Sequence, residues 1–185
     1  RDYYYPFESG LMASTSSVFQ HEIPGGQYSN LKPQAVALGL ADKFEEIKLM
    51  YGEVNQLFGD VVKVTPSSKV VGDMALYLVS NGLTIADVLE RGDSISFPES
   101  VVDFFMGRLG QPHGGFPEAL QKLILKDRIP FTDRPNSHLE PIDFDKGFID
   151  FKKKFDASLK FTDYLSFLMY PKVFEDYYAK KKEFG

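Results

Sequence analysis

Between Lys43 and Phe58, apolar side chains fall at Phe44, Ile47, Tyr51, Val54 and Phe58, with Glu45, Glu46, Lys48 and Glu53 between them. Steps of three and four put one apolar stripe along a helix and leave the charges outside it. This signal returns along most of the chain and restricts the fold more than any other feature. Gln27 to Leu40 reads as a helix whose Pro33 must sit in the early turns or kink it. Val70, Val71, Met74, Ala75, Leu78 and Val79 give a helix over Ser68 to Ser80, stopped by Asn81-Gly82. Thr84-Ile85-Ala86-Asp87 has the form of a capping box, opening a short helix that ends near Gly92. Ser96-Phe97-Pro98-Glu99 opens another, running to about Met106 and closed by Gly107. Pro117 to Lys126 is the next, with proline at its first position.

From Asp127 to Glu140 the periodicity fades, and Pro130, Asp133, Pro135 and Asn136 mark an extended linker. Helices resume over Asp143–Phe155, Thr162–Met169 and Pro171–Phe184. Only Val61–Val64 and the N-terminal stretch leave room for short strands. The expectation is a mainly α, multi-helical bundle: a main body over residues 1–126, a linker over 127–142 and a small helical unit over 143–185.

A chain of 185 residues, 43% hydrophobic, has material for one core and a smaller satellite. It contains no cysteine, which excludes disulfides, thiolate metal sites and a cysteine nucleophile. No apolar run approaches the roughly 20 residues of a membrane span, so no membrane is expected among its partners. A net charge of −5 argues against broad nucleic-acid binding, which needs a basic footprint. The 17 Phe and 10 Tyr are read as core and interface packing. Arg1-Asp2-Tyr3-Tyr4-Tyr5-Pro6 lacks the shape of a signal peptide, and there is no initiator methionine. The chain is therefore expected to be a piece of something longer.

The chemistry concentrates in Val64-Thr65-Pro66-Ser67-Ser68-Lys69. Thr65 precedes proline and is pushed out of the α region; Pro66 suits a helix entrance. Ser67 or Ser68 can cap the first turn, with Ser67 the better candidate. A helix start with free N–H groups suits a developing anion. Lys69 opposes the helix dipole there by about 0.3–1 kcal/mol, and a broken local rule without visible structural gain points to function. The plainer alternative is an ordinary capped helix whose lysine reaches into solvent.

Other features invite functional readings that their spacing does not support. His21, His113 and His138 lack paired metal-ligand spacing, so no catalytic metal is expected here. Pro24-Gly25-Gly26-Gln27 and His113-Gly114-Gly115-Phe116 lack the pattern of a phosphate loop; they read as tight turns or close backbone approaches. Gln27, Tyr28 and Asn30 read as a helix start capped by Ser29 or Asn30. Lys152-Lys153-Lys154 and Lys180-Lys181-Lys182 read as solvated helix faces.

Phe58 to Asp73 as a whole resembles the pyruvate carboxylase family. So do His21-Glu22-Ile23-Pro24-Gly25-Gly26-Gln27-Tyr28-Ser29-Asn30-Leu31 and Gly110-Gln111-Pro112-His113-Gly114-Gly115-Phe116-Pro117-Glu118. Related biotin-dependent decarboxylases and transcarboxylases share the first two motifs more loosely. They more often carry glutamine where Lys69 stands and depart at Gly72-Asp73. Lys69, the third motif, Arg134-Pro135 and Leu139-Glu140-Pro141 favour pyruvate carboxylase over an oxaloacetate decarboxylase or transcarboxylase subunit. A non-catalytic helical assembly module is a further alternative, against which the intact Thr65, Ser68 and Lys69 argue.

The resemblance covers nearly the whole chain and is weakest from about Asp143 to Lys160. It implies the helical extension that forms a funnel over a (β/α)₈ carboxyltransferase barrel, running into the start of a tetramerisation or allosteric region. The barrel itself is absent: eight βα units take about 250 residues. The resemblance further implies that Thr65 relays a proton during carboxyl transfer from carboxybiotin to pyruvate. Ser68 and Lys69 would contact the biotin ureido group. The implied partners are the barrel, a biotin carrier domain, pyruvate and further copies of the chain. The divalent metal, the carboxylated lysine and ATP chemistry belong to absent parts, and the fragment alone is expected to be inactive. Bacterial cytoplasm and mitochondrial matrix both fit.

Overall fold

A computed structural model of the chain describes residues 2–5 and 16–184. Among these there is no strand: Val61–Val64 is irregular, with Val64 N–H donating to the Val62 carbonyl at 3.1 Å, and residues 2–5 lie in turns. The remaining residues of the N-terminal stretch lie outside the described ones. The chain divides into two compact units, Arg1–His138 and Leu139–Gly185.

The first unit is built from α1 (Val18–His21), α2 (Gly25–Ala37), α3 (Phe44–Leu57), α4 (Ser67–Asn81), α5 (Ile85–Arg91), α6 (Glu99–Phe105) and α7 (Glu118–Leu125). Helix α3 forms where the stripe predicts it, and Phe44, Ile47, Tyr51, Val54 and Phe58 are all buried. Full burial of such side chains contributes about 1.5–3 kcal/mol each. Their partners are the predicted apolar face of α4, against which α3 packs, and α4 in turn meets α2 and α6. Helix α4 ends at Gly82, whose φ of +62° is the left-handed stop its sequence announces. Thr84 and Asp87 form the predicted reciprocal capping box at α5.

Several local expectations are corrected. Lys48 is buried rather than on the solvent face, and its ammonium reaches Glu45 at 2.7 Å. Gly25 and Gly26 are neither a tight turn nor a close approach; they are the first two residues of α2, with open space where a Cβ would stand. Pro24 is the N-cap of α2, and Ser29 donates to the Gly26 carbonyl instead of capping. Pro33 sits inside α2 beyond its first turn, so Ser29 loses the usual helical donor to its carbonyl. Gly114 and Gly115 do make a turn, with φ of +85° and +81°.

The segment after α7 is tied back to the first unit. Phe131 N–H donates to the Met106 carbonyl at 2.8 Å, and the Gln111 amide donates to the Phe131 carbonyl at 2.6 Å. Gly107 makes room for this clamp, since a Cβ there would lie 2.9 Å from the Phe131 carbonyl oxygen.

The second unit is three helices, α8 (Phe144–Lys154), α9 (Phe161–Met169) and α10 (Pro171–Phe184), around Phe151, Tyr164 and Phe174. The Asp143 carboxylate caps α8 by accepting from Lys146 N–H. The lysine runs are exposed for the most part, but they are more than solvated charge. Lys152 lies 4.6 Å from the centre of the Phe148 ring, Lys154 4.9 Å from Phe155, and Lys182 5.3 Å from Tyr178.

Candidate functional site

The loop from Gly59 to Pro66 delivers Thr65, Ser68 and Lys69 to one turn at the start of α4. Helix α3 closes through Asp60, whose N–H donates to the Asn55 carbonyl at 2.9 Å and whose carboxylate accepts from the Asn55 amide at 2.7 Å. Val61 then anchors in the core while Val62 and Val64 point outward, 74% and 58% exposed. The Thr65-Pro66 bond is cis, and Ser68 N–H donates to the Val64 carbonyl at 2.9 Å, completing the turn.

Ser67 does not cap α4. The helix has no side-chain cap; the Ser67 hydroxyl faces back along the loop, reaching the carbonyls of Val62 at 2.5 Å and Val64 at 2.7 Å. It also accepts from Val64 N–H at 3.2 Å. A hydroxyl so engaged locks the loop rather than the helix. Three of the first N–H groups are not free for an anion: those of Ser68, Lys69 and Val70 donate to the carbonyls of Val64 and Pro66. Anion stabilisation at this end therefore falls mainly to side chains.

Thr65 and Lys69 are exposed, four residues apart, whereas Ser68 is only 4% exposed. The hydroxyls of Thr65 and Ser68 make no hydrogen bond among the described residues. The Lys69 ammonium lies 2.6 Å from Asp73 Oδ2, which also accepts from Ser100 Oγ at 2.7 Å.

Three other helices grip this turn. From α3, the enclosed Tyr51 hydroxyl donates to the Ser68 carbonyl at 3.2 Å. Burial pushes the Tyr51 phenol well above its ordinary pKa, so it remains a donor. From α2, Gln27 and Leu31 press on Gly72, where a Cβ would stand 2.7 Å from the Gln27 amide nitrogen and 3.1 Å from a Leu31 methyl. From α6, Ser100 holds Asp73. Sequence reasoning missed Asp73, Ser100 and Tyr51. The four-residue spacing of Lys69 and Asp73 was a readable signal; Tyr51 and Ser100 gave none, because their contacts with α4 are tertiary.

The three motifs meet around this element. Glu22 of the first accepts from Lys63 of the second at 2.7 Å, and that ammonium holds the Glu22 carboxyl below the usual carboxylate range. The second and third share a cavity of about 460 Å³, with Asp60, Val62 and Ser67 on one side and Leu109, Gln111 and His113 on the other. Thr65, Ser68 and Lys69 lie outside its lining. The three histidines remain apart: His21 is buried, His113 exposed, and His138 pairs with Asp133 at 2.6 Å. Among the described residues, no group of three His, Cys, Asp or Glu could hold a metal ion. None of the described helices is long and apolar enough to cross a membrane.

Residues 18–185 match the model of the conserved carboxylase domain. The chain belongs to that family. Pyruvate carboxylase from Bacillus subtilis (strain 168) is 53% identical to this carboxylase-domain chain over 185 residues, which are 100% of this chain and 16% of that protein. The carboxyl transferase domain from Rhizobium etli pyruvate carboxylase superposes with a TM-score of 0.89 at 49% identity, covering 98% of this chain and 30% of that one. The same Rhizobium etli domain with pyruvate and biocytin gives 0.88 at 50% identity over 97% of this chain and 30% of that chain. This carboxylase-domain chain thus spans a small part of the length of the relatives it matches, and its described part holds helices and no strand.

Proposed function

We propose that the chain is a segment of a biotin-dependent pyruvate carboxylase, and that the Thr65–Lys69 turn serves carboxyl transfer to pyruvate, giving oxaloacetate. The observation that carries this reading is an exposed hydroxyl and an exposed ammonium at the start of a helix gripped by three others, in a chain 50% identical to a carboxyl transferase domain whose structure is with pyruvate and biocytin. When bound, carboxybiotin supplies the carboxyl group.

Thr65 is the proton relay. Its hydroxyl has one donor and two acceptor lone pairs, so it takes a proton from the pyruvate methyl group while giving its own to the ureido nitrogen. It is too weakly acidic to hold a charge between the two events. Lys69 and Ser68 would supply donors to the ureido oxygen, where fixed charge offsets the negative charge of the transition state without reorganisation. The residues fit such a ligand: the Lys69 side chain is 55% exposed, and the hydroxyls of Thr65 and Ser68 are uncommitted among the described residues.

In this reading residues 1–126 are the carboxyltransferase extension, 127–142 the linker and 143–185 the small helical unit. The exposed Val62 and Val64 beside Thr65 are apolar surface of the kind a partner covers, here the barrel of the parent chain. The biotin carrier domain, the metal ligands and the ATP site belong to other parts of that chain. Further copies of the parent form the oligomer, in bacterial cytoplasm or mitochondrial matrix.

The test is Thr65→Ala in the full-length enzyme, read as oxaloacetate decarboxylation stimulated by free biotin. Loss of a positioned proton-transfer group predicts a fall of about 10²–10⁴-fold, or ~3–5 kcal/mol. Retention of more than half the wild-type rate overturns the assignment.

A further inference from the structure

Lys69 and Asp73 form an ion pair at four-residue spacing on α4, with the cation nearer the N-terminus. That order is the weaker of the two for a helix, since the cation faces the positive end of the dipole, and it recurs in Lys172–Asp176 of α10 at 2.8 Å. Spacing and order therefore do not set this pair apart; the burial and the second partner of Asp73 do. Its side chain is 17% exposed, and Oδ2 takes the Lys69 ammonium at 2.6 Å and the Ser100 hydroxyl at 2.7 Å together. Ser100 belongs to α6, 27 residues further along the chain. The direction of an exposed lysine is thus set by a separate helix through a partly buried carboxylate.

We propose that Asp73, held by Ser100, is the positioning residue that orients Lys69 for its ligand. The inference rests on the reading of Lys69 as a ureido-binding group. An ammonium has three donors. One committed to Asp73 leaves two for the ureido oxygen. A stem already held also spares binding the rotamer freedom it would otherwise have to freeze. Asp73 acts through Lys69 and touches no substrate.

The test uses the full-length enzyme and the biotin-stimulated decarboxylation of oxaloacetate, with kcat and KM for biotin measured separately. ATP-dependent carboxylation of biotin, catalysed elsewhere in the same molecule, is the control for folding. Asp73→Ala is expected to lower kcat/KM for biotin about ten- to a hundredfold, the scale of a misplaced catalytic contact. Ser100→Ala is expected to lower it about two- to tenfold, the scale of one hydrogen bond. Asp73→Asn preserves the shape and is expected to fall between them, which keeps the test open if the alanine variant fails to fold. The deciding comparison is a double-mutant cycle. Lys69→Ala with Asp73→Ala should be no slower than Lys69→Ala alone. Independent, multiplying losses overturn the proposal, as do Asp73 variants at the wild-type rate beside a slow Lys69→Ala. If Lys69→Ala itself runs at the wild-type rate, the reading of Lys69 falls, and the role of Asp73 falls with it.

Discussion

In the first unit Ile47, Val54, Val71, Met74 and Leu78 of two long helices close a mixed core that also holds the rings of Phe58, Phe104 and Phe105. In the second, Phe151, Phe155, Phe167 and Phe174 meet ring against ring, with Phe155 edge-on to Phe174 at 5.4 Å. This larger, mixed core leaves polar groups free for precise work at its rim: Tyr51 on the Ser68 carbonyl, and Ser100 on Asp73. The aromatic one spends its lysines on its own ring faces. Rings supply much buried area per residue and a preferred geometry worth ~0.5–1.5 kcal/mol per pair, which suits a unit of fewer than 50 residues that cannot build a deep core. The frame for chemistry thus mixes aliphatic side chains with rings, while the compact appendage relies mostly on rings.

The sharpest way to break this contrast is to remove one ring from each unit. Phe151→Ala and Phe58→Ala should each remove about 3–5 kcal/mol. In urea, monitored by hydrogen exchange, Phe151→Ala should unfold the second unit while α3 and α4 stay protected. Phe58→Ala should leave the first unit weakened but folded. Simultaneous loss of both units in the first variant would show that they are one cooperative block. Next in size is Tyr51→Phe, which deletes the hydrogen bond to the Ser68 carbonyl and should remove about 1 kcal/mol from the first unit by thermal unfolding. Carboxyl transfer should slow with it if the clamp positions the turn. Smaller still, Lys154→Gln takes a cation from Phe155 and Phe167 and a partner from Glu175. It should remove ~0.5–1 kcal/mol from the second unit alone, most of the ionic part vanishing in high salt.

The last prediction separates the units by pH. Burial, followed by the nearby Lys48, holds the His21 pKa below its ordinary value, and Nδ1 accepts from Ile23 N–H at 2.9 Å. The unfolded chain therefore takes up the proton first. The stability this neutral histidine contributes is complete above about pH 6.5 and declines as pH falls from there through the lowered native value. Denaturant titrations of the first unit at pH 8 and pH 5.5 should show the decline, and His21→Gln should shrink it. A pH-independent midpoint would contradict it.

Much of this architecture was legible because its causes are local. The stripe of α3, the Gly82 stop and the Thr84–Asp87 box each depend on residues within a few positions of one another. What escaped depended on distant partners. Ser67 looks like a cap until the carbonyls of Val62 and Val64 are brought within its reach. Lys48 looks solvated until its stem is covered. Gly25-Gly26 looks like a turn, yet nothing presses on it and it enters a helix. The site showed the same divide: Lys69 stood out by breaking a local rule and Thr65 by preceding Pro66, while Ser68 proved buried and Ser100 was joined to Asp73 only by folding.

The account turns on whether the Thr65 hydroxyl, and not merely the shape of its side chain, carries the proton. Thr65→Val keeps the shape without the hydroxyl, and Thr65→Ser keeps the hydroxyl without the methyl. In the full-length enzyme, biotin-stimulated oxaloacetate decarboxylation should fall about 10²–10⁴-fold in the valine variant and stay near wild type in the serine variant, with ATP-dependent biotin carboxylation intact in both. A valine variant that turns over as fast as the serine variant would contradict the account.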